Sequence, residues 1–346
     1  MDRTVAQWRA EGSYFDTASY GLPPVVTTDR LHEVLDSWSR GVGVWEHWSE
    51  ATDVAREIFA SIIGVPSASV MTGASLSQMV SLVATAIPDG ATVLSTDIEF
   101  TSNLFPYLAL TRRGVTVRTV PTSELVAAIE PGIQVVACPA VQSATGQVVD
   151  LEAIKARCHE VGALLIVDGT QAAGWLPVGL DGIDAYLCSG YKWLMCPRGV
   201  AFGVLSERIA SNMTPLAANW YGGAEVHLSY YGPPLRLATS ARRFDLSPAW
   251  FSWVGAVESL KVIEKIGHSE IHQHDLSVAN AFTEGAGLGS TDSAIVSVAV
   301  SREVDTSSFP FRTSIRDGGL RLSFHVYCEA SEARDAGELL RNHIVR

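Results

Sequence analysis

A carboxylate and an amine follow two apolar runs near the middle of the chain. The run Leu164–Val167 ends at Asp168, and the run Ala185–Cys188 is soon followed by Lys192. Apolar runs of this kind are typical of strands buried in a parallel sheet. Because ligands bind beyond the carboxyl ends of such strands, we expect Asp168 and Lys192 to lie at one mouth of a binding site.

The chain around these residues alternates between strands and helices. The strand-like apolar runs are Thr92–Ser95, Val115–Val120, Gln134–Cys138, Leu164–Val167, Ala185–Cys188 and Val200–Leu205. Helical stretches such as Leu151–Val161 separate most of these runs. The alternation predicts an α/β fold in which helices flank both faces of a mostly parallel sheet.

Three regions are expected along the chain. Residues 1–20 end in turn-forming residues and predict an extended N-terminal arm, and residues 21–244 form the large domain. Residues 245–346 predict a smaller α+β domain, against which the arm packs. Its expected helices and strands are Trp250–Ile266, Ile295–Val300, Leu320–Val326 and Ser331–His343. The loop from residue 215 to residue 248 is rich in aromatic residues, and loops of this length are functional or form interfaces.

Composition narrows the class of protein. Of the 346 residues, 47% are hydrophobic and 18% are charged, which is enough apolar material for one large core and a smaller one. The net charge of −12, without clustered basic residues, argues against nucleic acid as a partner. The first residues lack the apolar core of a secretion signal, and no run reaches membrane-spanning length. We therefore expect a cytoplasmic protein that contacts no membrane.

Cysteine and histidine spacing predicts no metal site. The cysteines are odd in number and lack a C-x-x-C pair, which favours reduced thiols in the core. They are Cys138, Cys158, Cys188, Cys196 and Cys328. Two of the residues His268, His272 and His274 are spaced like metal ligands. Without a carboxylate–histidine signature, we interpret the three as a solvated helix end.

The order Asp168, Gln171 and Ser189-Gly190-Tyr191-Lys192 resembles the pyridoxal-phosphate enzymes of fold type I. More narrowly, it resembles the class V aminotransferase and cysteine desulfurase-like group over nearly the whole chain. The resemblance implies that Lys192 forms the Schiff base with the cofactor. It also implies that Asp168 keeps the pyridine nitrogen protonated, so that the ring accepts electrons, and that Gln171 hydrogen-bonds the phenolic oxygen.

The same resemblance implies a phosphate site at the start of a helix. Gly73, Ala74 and Ser75 correspond to the loop that binds the cofactor phosphate, a role that suits backbone amides at a helix N-terminus. Ser189 and Tyr191 are expected to add side-chain contacts. Ser247 lies near the position from which relatives contact the phosphate across a subunit interface, so the resemblance implies a homodimer with shared active sites.

Aromatic and arginine residues complete the expected site. Phe100 corresponds to the residue stacked on the cofactor ring, which is histidine in desulfurases. Arg321, in Arg321-Leu322-Ser323, corresponds to the arginine that binds the α-carboxylate of the substrate. The nearby Arg312 and Arg316 are alternatives for this role. In the arm, Ser19 and Tyr20 are expected to contact the substrate.

The reaction is predicted from what the chain lacks. Desulfurases carry a sulfur-accepting cysteine shortly before the R-x-S strand, and residues 295–320 contain no cysteine. With phenylalanine at position 100 as well, a cysteine desulfurase is disfavoured. We expect a C–S β-lyase that cleaves a cysteine S-conjugate to thiol, pyruvate and ammonia, like the family's members in lincosamide and ergothioneine metabolism. Antibiotic biosynthesis is the matching expectation.

The sequence leaves two other reactions open and disfavours two other classes of protein. A decarboxylating oxidative deaminase of a cysteine S-conjugate and an aminotransferase remain alternatives, since no residue excludes them. A nicotinamide-dependent enzyme is disfavoured because the chain lacks the G-x-G-x-x-G turn after a first strand. A non-catalytic protein on the same fold is disfavoured by the joint presence of Asp168, Gln171 and Lys192.

Overall fold

A computed structural model describes residues 7–301 and 305–345. The first six residues of the predicted arm, residues 302–304 and the last residue of the predicted small domain lie outside the described residues. The helices are α1 (Val25–Ser39), α2 (Trp45–Ile63), α3 (Leu76–Val83), α4 (Thr101–Leu108), α5 (Leu125–Ala128), α6 (Leu151–Val161), α7 (Glu207–Ala210), α8 (Trp250–Ile266), α9 (His268–Ala286) and α10 (Ala330–Leu340). The strands are β1 (Ser13–Tyr14), β2 (Val70–Gly73), β3 (Thr92–Thr96), β4 (Thr116–Val120), β5 (Val135–Pro139), β6 (Leu164–Asp168), β7 (Ala185–Ser189), β8 (Ala201–Leu205), β9 (Ile295–Ala299), β10 (Phe311–Arg312), β11 (Ser314–Arg316) and β12 (Gly319–Ser323).

A mostly parallel sheet forms the centre of the molecule. In the described part of the chain it has seven strands in the order β2-β8-β7-β6-β5-β3-β4. Strand β8 runs antiparallel to both of its neighbours, and the remaining strands are parallel. The six predicted strands of this sheet are present within one or two residues, and the predicted α/β class is confirmed.

Helices cover both faces of this sheet. On one face, Phe59 of α2 stacks on Phe202 of β8 with 4.2 Å between ring centroids, and Trp253 of α8 packs edge-on against Phe202. On the other face, Met79 and Val80 of α3 are buried in a separate cluster. The continuous apolar runs predict strands that are apolar on both faces. Helices bury these strands from both sides.

Strand β2 was not predicted from the sequence. Its four residues, Val70–Gly73, are too few and too mixed in polarity to stand out as an apolar run. They become a strand because backbone groups pair with β8, from Val70 opposite Val204 to Gly73 opposite Ala201. The segment that was predicted only as the opening of a helix therefore begins as a sheet strand.

The ends of α6 explain why its predicted bounds agree with the structure. The side chain of Asp150 caps the N-terminus by accepting a hydrogen bond from the Ala153 amide at 3.0 Å. At the other end, Gly162 adopts the left-handed conformation that closes a helix, with φ of 74°. Both residue types are start and stop signals that can be read from the sequence.

The C-terminal part of the chain builds a smaller antiparallel sheet. Among the described residues this sheet has three strands in the order β11-β12-β9, and α9 packs on α10 beside it. Strand β1 of the arm pairs in parallel with β10, which joins the two ends of the chain. The predicted boundaries of the arm and of the two domains remain predictions. Within the described ranges, no helix is both long and apolar enough to cross a membrane.

The interpretation of the histidine cluster as a solvated helix end was wrong. His268, His272 and His274 lie in the first two turns of the 19-residue helix α9 and are half-buried. The ring of His272 stacks on Trp175, with 5.9 Å between centroids. Elsewhere in the described part of the chain, too, no group of histidine, cysteine and acidic side chains could hold a metal ion.

A buried ion pair ties the sheet edge to the segment that precedes α8. Arg56 of α2 contacts Asp245, with Nη2 2.6 Å from Oδ2, and Arg56 Nη1 also donates to the Val70 carbonyl at 2.8 Å. The Thr72 amide donates to Asp245 Oδ1 at 2.7 Å. Both charged side chains are almost fully buried, so each satisfies the other in an interior where an unpaired charge is costly.

We expect Asp245→Ala to lower the free energy of unfolding by about 3–5 kcal/mol, because it leaves the Arg56 guanidinium buried without its principal partner. Urea unfolding followed by circular dichroism measures the change. The matched control is Asp89→Ala, which removes the exposed ion pair with Arg113 and should cost about 1 kcal/mol or less. Equal losses in the two variants would contradict the role given to the buried pair.

Candidate active site

A cavity of about 180 Å³ lies at the carboxyl edge of the central sheet. The ends of β5, β6 and β7 and the starts of α3 and α4 border it. The residues that line it are Ala74, Ser75, Leu76, Ser77, Glu99, Phe100, Ser102, Pro139, Val141, Ser143, Asp168, Thr170, Gln171, Ser189, Tyr191, Lys192 and Arg198. The carboxylate and the amine from which the sequence prediction started therefore meet in one cavity.

Asp168 is the last residue of β6 and is buried. The Thr170 amide donates to its Oδ1 at 2.8 Å, and Thr170 Oγ1 accepts a hydrogen bond from the Ser189 amide at 3.1 Å. Thr170 therefore joins the ends of β6 and β7. Burial raises the pKa of Asp168, while the hydrogen bonds from Thr170 and the charge of Lys192 oppose that rise.

Lys192 lies in the turn after β7 and is also buried. Its pKa is lowered to about 8, first by burial, with further lowering by the charges of Arg321, Arg316 and Arg198, while Asp168 raises it. The lysine Nζ lies 5.4 Å from the centroid of the Phe100 ring. An amine with this pKa is partly uncharged near neutral pH and can accept a proton.

The backbone around Lys192 is fixed by the N-terminal arm and by the small domain. The Gly21 amide donates to the Tyr191 carbonyl at 3.0 Å, and a side chain at Gly21 would overlap the Lys192 carbonyl oxygen. On the other side, His325 Nε2 lies 3.0 Å from the Trp193 carbonyl, and its Nδ1 lies 2.7 Å from Asp275. Segments distant in sequence therefore hold the lysine turn in place.

The N-terminus of α3 forms one end of the cavity. Ser75 caps this helix by accepting from the Gln78 amide at 3.4 Å, and the Leu76 amide donates to Ser189 Oγ at 3.2 Å. The predicted loop Gly73–Ser75 is thus brought beside Ser189, and Gly73 leaves the space that the Gln78 side chain occupies. Amides at a helix N-terminus favour an anionic group, as the phosphate prediction requires.

Arg198 is a site residue that the sequence prediction did not assign. It lines the cavity, and its guanidinium carbon lies 4.8 Å from the centroid of the Tyr191 ring. The signal was present in Pro197-Arg198-Gly199, shortly after Lys192, but spacing alone does not show that the chain turns back toward the cavity. Arg198 adds positive charge near Ser189 and Tyr191.

Phe100 lies at the start of α4 and lines the cavity with 46% of its surface exposed. A core phenylalanine would be buried, so the exposure fits a ring that is free to contact a ligand. Glu99, which the prediction also missed, is buried beside it and accepts a hydrogen bond from the Phe100 amide at 2.8 Å. Burial and the charge of Asp168 raise the pKa of Glu99 to about 8. Glu99 is therefore mostly neutral at pH 7.

Gln171 is buried at the back of the cavity with its amide group engaged. Its Nε2 donates to the Ala18 carbonyl at 3.1 Å and to Ser143 Oγ at 3.0 Å, while its Oε1 accepts from Trp193 Nε1 at 2.8 Å. The side chain is thus held in a single orientation. Its predicted contact with a phenolic oxygen remains a prediction.

Arg321 is buried beside the cavity and reaches it through Ser143. Its Nη1 donates to the Ser143 carbonyl at 2.7 Å, and its Nη2 donates to Ser19 Oγ at 2.9 Å and lies 3.5 Å from Asp16. The alternatives Arg312 and Arg316 are exposed. Tyr20, whose ring lies under the Arg312 guanidinium, borders a neighbouring cleft of the arm.

Five of the predicted site residues are absent from the cavity lining: Gly73, Ser19, Tyr20, Arg321 and Ser247. Within the described part of the chain Ser247 is exposed and lies outside the cavity lining, just before α8. Its predicted contact involves a second subunit, and that prediction stays open.

The donor set of the cavity fits pyridoxal phosphate. The α3 amides, Ser189 and Arg198 offer a positive, hydrogen-bonding end for a phosphate. Asp168 offers a carboxylate for a protonated ring nitrogen, and Lys192 offers an amine for an aldehyde. One carboxyl oxygen of Glu99 is buried without a hydrogen-bond partner among the described residues, which leaves a polar group available in the cavity wall.

Known proteins share the sequence pattern of this chain. The sequence model described as Aminotransferase class-V matches residues 14–314. An uncharacterized aminotransferase, YcbU, of Bacillus subtilis is 27% identical over 317 residues, which are 84% of this chain and 84% of that protein. A probable cysteine desulfurase of Methanothermobacter thermautotrophicus is 27% identical over 283 residues, which are 77% of this chain and 70% of that protein.

Solved structures share the fold. The cystine C–S lyase C-DES, in complex with its reaction product cysteine persulfide, has a TM-score of 0.86 and 19% identity, over 97% of this chain and 99% of that chain. A C-DES mutant with glycine covalently linked to its PLP cofactor has a TM-score of 0.88 and 19% identity, over 99% and 100% of the two chains. At this identity the likeness establishes a common fold and leaves the reaction open.

The lowered pKa of Lys192 can be tested on the apoprotein. Reductive methylation with formaldehyde needs an uncharged amine, so labelling of Lys192, followed by peptide mass spectrometry, should rise with pH and be half-maximal near pH 8. Asp168→Asn removes the charge that favours the ammonium form, so the midpoint should move to lower pH. A midpoint above about pH 10, the range of an exposed lysine, would contradict the description of the site.

Proposed function

This chain belongs to the class-V aminotransferase family, has the fold type I architecture and uses pyridoxal phosphate, and on that premise we propose that it is a C–S β-lyase. The family, fold class and cofactor predicted from the sequence are thereby confirmed. The proposed reaction takes a cysteine S-conjugate and water to a thiol, pyruvate and ammonia. The observation that carries the proposal is the buried amine of Lys192, which lines the cavity and can act there as a general base. Among the described residues, no cysteine lines this cavity.

Pyridoxal phosphate, when bound, supplies an aldehyde for the substrate amine and a ring that accepts the electron pair of a bond broken at Cα. Asp168 holds a proton on the ring nitrogen, because its buried carboxylate needs a positive partner. Lys192 Nζ accepts the Cα proton. The C–S bond would then break with its electron pair on sulfur, so that the thiolate leaves, and the remaining three-carbon unit would take up water to give pyruvate and ammonia.

The substrate carboxylate is assigned to Arg321. Its guanidinium is positioned by Ser143 and Ser19, whose oxygens are neutral acceptors. A carboxylate is a stronger acceptor than a hydroxyl and can bind a guanidinium through two parallel hydrogen bonds. Although burial and the Arg316 charge lower the pKa of Arg321 to about 10, the side chain is charged at neutral pH. The Arg321 guanidinium therefore binds the α-carboxylate end of the substrate, away from the sulfur.

Persulfide chemistry is disfavoured by the position of every thiol. The five cysteines are buried, and burial raises the pKa of Cys138, Cys188 and Cys196. A sulfur-accepting cysteine must reach the substrate as a thiolate. The cysteines nearest in sequence to Lys192 and Arg321 are core residues: Cys188, Cys196 and Cys328.

The relatives support elimination without deciding the reaction. C-DES, which shares the fold, is named as a cystine C–S lyase, whereas relatives with higher sequence identity are named as an aminotransferase and as a probable desulfurase. Phe100 can stack on a ring but cannot transfer a proton, so Lys192 is the proton acceptor that this proposal uses. Cysteine conjugates of secondary metabolism, including antibiotic biosynthesis, are the proposed substrates.

We also propose the cytoplasm, where thiols stay reduced, as the compartment of the enzyme, because the cysteines are odd in number and lack a C-x-x-C pair. Fractionation of cells that express the chain would check this location.

We further propose a homodimer, because a large apolar surface adjoins the segment that carries Ser247. The loop after residue 215 exposes Leu216, Leu228, Tyr231 and Leu235, with Tyr231 90% and Leu235 75% exposed. Trp220 in this loop packs on Trp45, which in turn packs on Trp250 at the start of α8. Exposed apolar patches of this kind mark interaction surfaces. A second copy packed on this surface would lie next to Ser247.

The reaction can be tested with S-ethyl-L-cysteine and the purified holoenzyme. We expect equal amounts of ethanethiol and pyruvate to be released, and Lys192→Ala should lower the rate by about 10²–10⁴-fold because the general base is lost. Lys192→Ala should also abolish cofactor that borohydride traps on the protein. Lys261→Ala, which changes an exposed lysine of α8, is the matched control and should keep both properties.

Other products would overturn the proposed reaction. The keto acid of the intact conjugate, formed without free thiol, identifies an aminotransferase. Release of carbon dioxide without cleavage of the C–S bond identifies a decarboxylating oxidative deaminase.

The dimer can be tested by sedimentation velocity at micromolar concentration. We expect a dimer for the wild type and a monomer for the double variant Tyr231→Asp and Leu235→Asp, because charge on the apolar surface opposes its burial. Leu339→Asp, which changes another exposed leucine on α10, should remain dimeric. An active monomeric wild type would rule out shared active sites.

A further inference from the structure

Two arginines meet at Ser19 beside the cavity, and a third contacts the neighbouring Tyr20. Arg321 Nη2 and Arg316 Nη2 each donate a hydrogen bond to the same oxygen, Ser19 Oγ, at 2.9 Å. The Arg312 guanidinium carbon lies 5.7 Å from the centroid of the Tyr20 ring, on the next residue of the arm. We call Arg312, Arg316 and Arg321 the arginine cluster.

The cluster carries more positive charge than its surroundings balance. Among residues 7–301 and 305–345, Asp16 is the one carboxylate within ion-pair distance of the cluster, and it pairs with Arg321. Arg316 and Arg321 therefore share a neutral hydroxyl although each bears a full charge. The whole chain has a net charge of −12, so the local excess is not a consequence of composition.

One substrate carboxylate does not account for both arginines. Under the proposed function, the α-carboxylate binds Arg321, which is buried and reaches the cavity through the Ser143 carbonyl. Arg316 lies on the far side of Ser19, at the exposed end of β11. The two guanidiniums thus define two positions for an anion: an inner one at Arg321 and an outer one, nearer to solvent, at Arg316.

We infer that Arg316 binds a second acidic group, at the end of the substrate that extends away from the α-carboxylate. The inference rests on the proposed function, which assigns the α-carboxylate to the inner position. The substrate is then an amino acid whose side chain ends in a carboxylate or a similar anion. Ser19 lies between the two positions and can turn its hydroxyl toward either acid.

The experiment uses two non-reacting ligands that differ in a single charge. Adipate has as many chain atoms between its carboxylates as S-carboxymethyl-L-cysteine, and its monoamide, adipamate, keeps one acid. Neither ligand has an amine, so calorimetry on the wild-type holoenzyme measures binding without turnover. We expect adipate to bind at least about tenfold more tightly than adipamate, the usual effect of a charge-assisted hydrogen bond.

The variants assign that preference to Arg316. Arg316→Gln should reduce the ratio of the two affinities to within about twofold, while leaving adipamate binding unchanged because Arg321 is intact. Arg334→Gln, which changes an exposed arginine of α10 in the C-terminal part of the chain, is the matched control and should keep the full ratio. Equal affinities in the wild type, no binding of either ligand, or a ratio that survives Arg316→Gln would each overturn the inference.

A parallel kinetic comparison separates this inference from the proposed reaction. S-Carboxymethyl-L-cysteine and its amide, S-carbamoylmethyl-L-cysteine, differ in the same way, and the acid should have the higher kcat/KM by about tenfold. If both conjugates react equally and adipate shows no preference, the β-lyase stands and the second acid position is wrong. If neither conjugate releases thiol but adipate binding depends on Arg316, the acid position stands and the β-lyase is wrong.

Discussion

The burial of one carboxylate and one amine in the same cavity is the constraint on which the rest of the site depends. Burial opposes charge on both groups, raising the pKa of Asp168 and lowering that of Lys192. Each group partly offsets the other, so Asp168 keeps the amine from losing its basicity altogether. Glu99 adds a second carboxyl to the same cavity, but its raised pKa keeps it mostly neutral at pH 7. A single carboxylate therefore faces Lys192, and part of the amine is uncharged near neutral pH.

A continuous polar chain connects this pair to the substrate end of the cavity. Trp193 donates to Gln171, Gln171 donates to Ser143, and Arg321 donates to the Ser143 carbonyl and to Ser19. The chain passes from the lysine turn through the end of the central sheet to the small sheet and the arm. Its members are buried or half-buried and hydrogen-bonded, and such networks fix orientation because an unmade bond in the interior is costly. Arg321 is therefore held relative to the lysine by hydrogen bonds as well as by apolar packing.

Much of the fold could be predicted because its signals are local. Strands β5, β6 and β7 are largely continuous apolar runs, and α6 carries both a capping aspartate and a terminating glycine. By contrast, β2 is a strand only through its pairing with β8, and nothing within its four residues favours that state over a loop. The histidines of α9 were misread for a related reason: their half-buried position depends on packing partners such as Trp175, more than ninety residues earlier in sequence.

The sequence by itself determined the fold class and the family, and it singled out Asp168, Lys192 and Arg321 as candidate site residues, because each of these follows from a local run or a short ordered motif. Tertiary structure decided which other charges act on them. Arg198 and Glu99 belong to the cavity, and Arg316 meets Arg321 at Ser19, only because the chain returns to the same sheet edge from distant positions. Burial and distance set the strength of electrostatic interaction, and neither can be read from residue order. The sequence therefore identified the chemical groups, and the fold decided their protonation and the surplus of positive charge at the substrate end.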